Sequence, residues 1–241
     1  MDSFMEPMTA FLFVFIVLIV VIGVVGYAVS QRDLERHRAE MAAWAAAHGL
    51  HYLAESDQLA QMFSGEPFTG GSGGHAIDIL SGPTPGGHQF WSYIYQYTVS
   101  NGKTSQTVKS WIVLVQMHRI LPWLNVTFDS FGAKLAQVFG DEDIEVESDD
   151  FNKTYCVHSG SPQFAFAVLN PPVIDWLLGP GQAIVPFRFV GQDMIWWCDG
   201  DPVYQRLGWQ VRAMEALIEH IPSFVWDDYG RSAHGTPGPN R

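Results

Sequence analysis

QFWSYIYQYT, residues Gln89 to Thr98, decides how the larger part of this chain folds. Trp91, Tyr93, Tyr95 and Tyr97 fall on every second position, with Ser92, Ile94 and Gln96 between them. A period of two is the period of a strand, whose successive side chains point to opposite faces. The stretch therefore predicts a β-strand with an aromatic row on one side. Just beyond it stands Asn101-Gly102, a pair suited to the positive φ angles of a tight hairpin turn. The apolar run that follows, Thr107 to Met117, is then expected to return antiparallel. Before Gln89 the breaker-rich SGPTPGGH separates off HAIDIL, His75 to Leu80, as an earlier strand. Trp123 to Phe128 reads as a later one. An aromatic row on a sheet can stack bases. A net charge of −12 and the absence of interleaved Lys or Arg argue against a nucleic-acid partner. The row is expected to face a core or a covering helix.

Toward the C-terminus the same reasoning gives alternating short elements. Phe131 to Phe139 predicts an amphipathic helix. GDEDIEVESDD follows, in which Ile144 and Val146 are expected to face the core from a strand while Glu145 and Glu147 face water. Asn152 to His158 predicts another strand, with Phe151 in the core beside it. Ser161 is the expected N-cap of a helix that Asn170-Pro171-Pro172 divides in two. Ala183 to Val190 and Met194 to Cys198 predict two strands joined by a turn at Gly191-Gln192-Asp193. Asp201-Pro202 then opens a helix from Val203 to Ile221. Upstream of the sheet lie a short strand at Tyr52 to Ala54 and a helix near Asp57 to Phe63.

The N-terminal part obeys another rule. No charged residue occurs between Glu6 and Arg32, and Phe11 to Val29 reads FLFVFIVLIVVIGVVGYAV. A helix from Met8 to Ser30 is roughly 34 Å long, enough to cross a ~30 Å hydrocarbon core. The leader carries Asp2 and Glu6 and no basic residue, unlike a cleaved signal peptide. Arg32, Arg36 and Arg38 follow the helix, so the positive-inside rule places residues 1–7 outside and the large C-terminal part in the cytoplasm of a single-pass cell-membrane protein. Residues 31–49 are expected to continue as a helical stalk that stops at Gly49. Residues 50–228 form an α+β domain, with room for two lobes meeting near residue 140, and residues 229–241 a disordered tail. The fold class expected is thus one transmembrane helix, then a predominantly antiparallel sheet covered by helices.

Chemistry is sparse. Gly70-Gly71-Ser72-Gly73-Gly74 matches the spacing of a nucleophile elbow, but the elbow needs a strand before its Ser and a helix after it. Here a strand follows, so Ser72 reads as part of a glycine loop. Asp141, Asp143 and Glu145 fit the first positions of a calcium loop, yet Val146 stands where Gly is needed and Asn152 where a bidentate Glu is needed. His48 and His51 are separated by Gly49. His75 and His88 begin neighbouring strands and form the best histidine pair for a joint site. Cys156 and Cys198 read as small buried hydrophobes in a reducing compartment. No catalytic residue, metal ligand or cofactor is assigned.

FSGEPF (Phe63 to Phe68), LPWLNVT (Leu121 to Thr127), ESDDFNKTYCV (Glu147 to Val157), FAFAVLNPPVIDWLL (Phe164 to Leu178) and PSFVW (Pro222 to Trp226) resemble an uncharacterised family of actinobacterial single-pass membrane proteins. The resemblance implies membrane anchoring and an α+β domain, and carries over no catalytic residue. The function expected is a non-catalytic interaction or scaffold module at the membrane, with the lipid bilayer and a protein as partners. The alternatives are a tethered hydrolase using the glycine loop with His75 or His88, and a small-ligand sensor using the aromatic strand.

Overall fold

The computed structural model describes residues 5–68, 73–128 and 143–231, and its contacts divide the chain into two units, up to His48 and from Gly49 onward. The first is a single helix, α1, Met5–Ala47. It is long and apolar enough to cross a membrane, and none of its most apolar window is buried within the protein. A core helix of a soluble domain would bury one face; this one buries none there. The helix runs unbroken through the predicted stalk, and Gly49 follows it with φ +70°, the left-handed conformation that ends helices.

The second unit is α+β. It begins with β1 (His51–Ser56), α2 (Asp57–Gln61), β2 (His75–Pro83), β3 (Gln89–Ser100) and β4 (Ser105–Phe128). There follow α3 (Asp149–Thr154), β5 (Tyr155–Ser159), α4 (Pro162–Val168), α5 (Pro171–Leu177), a 3-10 turn at Gln182–Ile184, β6 (Phe187–Asp199), α6 (Tyr204–His220) and α7 (Ser223–Asp228). The strands form one antiparallel six-stranded sheet in the order β1-β2-β3-β4-β5, with β6 also paired to β4. β4 is the spine: β3 pairs with it from Ser105 to Val115, β5 from Leu124 to Phe128, and β6 runs alongside from Ser110 to Val126.

Two predicted breaks are corrected here. Thr107 to Met117 and Trp123 to Phe128 are one strand, and so are the segments on either side of Gly191. The irregularities that looked like turns are bulges, and they coincide: Leu121 pairs with Gly191, and the register shifts on both sides of Leu121. Gly191 has φ +63°. The two strands bend together at a position only Gly adopts without strain.

Local chemistry explains the helix starts. The side chains of Ser56, Ser148, Ser161 and Asn170 each accept the backbone N–H three residues on, satisfying one of the orphan donors of a first turn. Two sequence expectations fail on capping. Asn152 to Thr154, expected to start a strand, instead complete a helix that begins at Asp149, because Ser148 caps it. Asp201 does not cap α6; its carboxylate takes Lys109 Nζ at 2.8 Å instead, and the helix starts at Tyr204. Ile144 and Val146 are outside any strand, although Val146 is buried and Glu145 and Glu147 are exposed as the alternation predicted.

The aromatic row faces a core. Tyr93 and Tyr95 pack with Ala60, Phe63, Phe68, Ile112, Ile195 and Trp197, and Trp91 and Tyr97 lie at its margin. On the opposite face are Trp111, Val113, Val115, Met194 and Trp196, all buried. There Ser92 is buried too, and its hydroxyl accepts Trp111 Nε1–H at 2.8 Å. α6 packs on β4 and buries Leu207, Val211, Met214, Leu217 and Ile218. Tyr229 to Arg231, placed in the tail by sequence, take part in the fold: Tyr229 packs on Phe164, and Arg231 exchanges two 2.9 Å backbone hydrogen bonds with Ile120. The predicted helix at Phe131 to Phe139 and the end of the tail lie outside the described residues.

Candidate functional site

Where β4 runs between β5 and β6, Asn125 lies opposite His158 on one side and opposite Arg188 on the other. Residues directly opposite in an antiparallel ladder share a face, with Cβ atoms ~4.5–5.5 Å apart. Arg188, Asn125 and His158 therefore make a row across three strands, and Thr127, two residues along, stands on the same face. Side chains of this kind are expected to bring every polar atom to water or an internal partner. Several of these atoms reach neither. Arg188, Asn125, Thr127, His158 and Tyr93 are all buried, at 2%, 2%, 1%, 5% and 1% exposure. Among the described residues, no hydrogen-bond partner meets Arg188 Nε and Nη2, Asn125 Nδ2, Thr127 Oγ1, His158 Nδ1 or the Tyr93 hydroxyl.

Electrostatics agrees. Burial pushes the Arg188 guanidinium down to about 10, with the Tyr93 hydroxyl and the Glu66 carboxylate opposing that shift. Burial drives the Tyr93 phenol well above its usual range, and Arg188 partly offsets this. Arg188 also lies 5.5 Å from the centroid of the Phe68 ring, a cation–π contact that compensates a desolvated charge only in part. Each unsatisfied buried polar group costs ~1–3 kcal/mol, so this row is expensive for the fold.

A cleft of about 260 Å³ adjoins the row, lined by Glu66, Pro67, Tyr97, Phe128, Pro186 and Trp197 among others. The row's own side chains lie behind this lining rather than in it, and the link is through Glu66, whose charge acts on Arg188, and through Pro67, next to the Phe68 ring that Arg188 faces. A second groove, about 330 Å³, crosses the same sheet near β1 and α2 and is lined by Leu53, Leu59, Met62, Trp91, Gln116 and Asp193. Burial raises the Asp193 carboxyl to about 6.

The residues singled out from sequence fall elsewhere. His75 and His88 do not meet. Consecutive antiparallel strands begin at opposite ends of their hairpin, and His75 pairs with Gln96 while Gln89, next to His88, pairs with Pro83. His88 Nδ1 donates to the Gln116 carbonyl at 2.8 Å, and its neighbour is His118, whose ring stacks near Trp226. Thr84 and Glu215, close by, are used in bracing that turn: Thr84 Oγ1 donates to Glu215 Oε1, which also takes Gly86 N–H at 2.8 Å. Ser72 and Asp141 lie outside the described residues. Asp143 accepts Val157 N–H at 2.7 Å, and Asn152 grips the backbone of Val146 through both ends of its amide. Cys156 is buried and Cys198 half-buried, and the two form no disulfide; burial, then the Asp199 charge, pushes the Cys198 thiol up to about 11.

Sequence reasoning missed the polar row because its members lie in four separate strands. The available signal was polar residues at alternate positions inside strands buried on both faces: Asn125 and Thr127 in LNVTF, and Arg188 between Phe187 and Phe189.

No protein-family model matches the chain, and no curated protein matches it in sequence. Among solved structures it is similar to the mycobacterial trehalose monomycolate transport factor A, TtfA, at 12% identity and a TM-score of 0.53, over 79% of this chain and 97% of that one. At that identity the likeness shows a shared α+β fold.

Proposed function

We propose that this chain is a membrane-tethered, non-catalytic accessory module, held by α1 with its α+β domain on the cytoplasmic side. The observation that carries the reading is the pairing of a helix whose most apolar window is buried nowhere in the protein with a domain of the fold seen in a mycobacterial transport factor. A helix of that length gains several kcal/mol by entering lipid, and its value to the domain is then local concentration at the membrane. The orientation follows from Arg32, Arg36 and Arg38, just beyond the apolar run. Its neighbour is titled a transport factor, and we assign this chain an accessory part in transport, with a protein partner at the membrane.

The test separates tethering from chemistry. In a deletion strain, a chimera carrying an unrelated single-pass helix of the same orientation should restore the phenotype. Residues 32–241 alone, at equal abundance, should not. Full rescue by the untethered domain overturns the reading. Proteolysis of intact spheroplasts checks orientation, and loss of the domain from outside would reverse it.

A further inference from the structure

We infer that the row formed by Arg188, Asn125, Thr127, His158 and Tyr93 is a binding site for a small ligand bearing a carboxylate or phosphate group, with the rest of the ligand in the adjoining cleft. The argument starts from donors. Arg188 Nε and Nη2 and Asn125 Nδ2 can only donate, and the Thr127 and Tyr93 hydroxyls and His158 Nδ1 can all donate as well. None meets an acceptor among the described residues. A set of convergent donors around one guanidinium is complementary to an oxyanion, whose several lone pairs take such hydrogen bonds at once. The site is built rather than incidental. Strand register sets Asn125, Thr127, His158 and Arg188 together from β4, β5 and β6, and Tyr93 of β3 is near enough to Arg188 for each to act on the other's charge.

The cleft sets the rest of the ligand. About 260 Å³ lies below the usual range for drug-sized ligands. Pro67, Phe128, Pro186 and Trp197 offer it an apolar wall. Glu66 at the rim already acts on Arg188 and must be displaced or shielded by the incoming anion, which favours an oxyanion strong enough to compete. A small aryl or alkyl acid fits these terms, and so does the phosphate head of a short-chain lipid.

Energetics explains why such a row would be kept. Replacing a buried, imperfectly paired charge with an apolar side chain is often neutral or stabilising. Removing Arg188 should therefore not harm the fold, and should abolish only the response to ligand.

The experiment uses the full-length protein in neutral maltoside micelles, followed by thermal melting at matched ionic strength. The probes are phenyl phosphate, benzoate and inorganic phosphate. A parallel arm compares phosphatidylcholine nanodiscs with and without phosphatidate. For wild type, the melting temperature is expected to rise by several degrees at a probe concentration of about 100 Kd. A rise with the free acids supports the site and identifies a soluble source. A rise only in phosphatidate discs supports it and identifies a lipid headgroup. Arg188→Met should melt at or above the wild-type temperature and show no rise. Asn125→Asp, which sets a carboxylate opposite Arg188, should melt higher than wild type and also lose the response. That second variant keeps the test decisive if Arg188→Met fails to fold. No rise in any arm, or a rise of equal size in wild type and both variants, overturns the inference. The accessory-module reading is tested by the anchor chimera and stands or falls apart from this.

Discussion

At the scale of single residues, the domain holds two kinds of buried polarity. The Trp111–Ser92 hydrogen bond is satisfied and costs little. Asp193 is different: it is half-buried and its carboxyl is raised to about 6 by loss of water. Since the folded value exceeds the unfolded one, the native state holds more protons between about pH 4 and 6. Stability contributed by the protonated acid is full below that window and is lost as pH rises through it. Asp193→Asn should therefore raise the stability at pH 7.5 by ~1–2 kcal/mol, discounted for remaining solvent contact, and leave it unchanged near pH 4. Chemical denaturation at the two pH values checks this; an equal gain at both would mean that desolvation is not the cause. Phe151 shows what sequence can deliver at this scale. Its burial was legible from an isolated aromatic in an acidic stretch, and it is wholly buried. Its element was not, because the Ser148 cap competes with a strand pattern only two residues later.

At the scale of elements, the long strands carry the lesson. Alternation in QFWSYIYQYT and the Asn-Gly turn made β3 and the first part of β4 readable to within a few residues. The remainder of β4 and the whole of β6 were read as two strands each. A bulge and a turn share the same vocabulary of Gly, Pro and polar residues, and only pairing distinguishes them. Gly191 is the test. A Cβ added there would meet nothing within 4 Å, but its φ of +63° is unfavourable for any L side chain. Gly191→Ala should cost ~1–2 kcal/mol from backbone strain alone, read as a lower denaturation midpoint with an unchanged m-value. A cost near zero would show that β6 straightens freely at this point. The polar row belongs to this scale too. It exists only after β4, β5 and β6 are in register, which is why no local motif announced it.

At the scale of the whole molecule, the division between anchor and domain was the most legible feature, because hydrophobic run length and charge placement are properties of composition rather than of pairing. Residues 32–241, produced without the apolar segment, are expected to be soluble and to melt in one cooperative transition, since the sheet and its covering helices lie after His48. Aggregation with no transition in the soluble fraction would show that the domain needs lipid or a second chain. The backbone pairing of Ile120 with Arg231 has a further consequence for synthesis. The apolar helix leaves the ribosome before the domain, while β4 still waits for β6 and then for the stretch up to Arg231. Arg119 in the same stretch bonds the carbonyl of Trp226 at 2.8 Å, so the middle of the spine is closed by residues about a hundred positions downstream of it. A nascent chain stalled short of residue 225 would already be inserted yet display an open strand edge beside the bilayer. Such an edge invites pairing with other chains and marks incomplete copies for proteolysis.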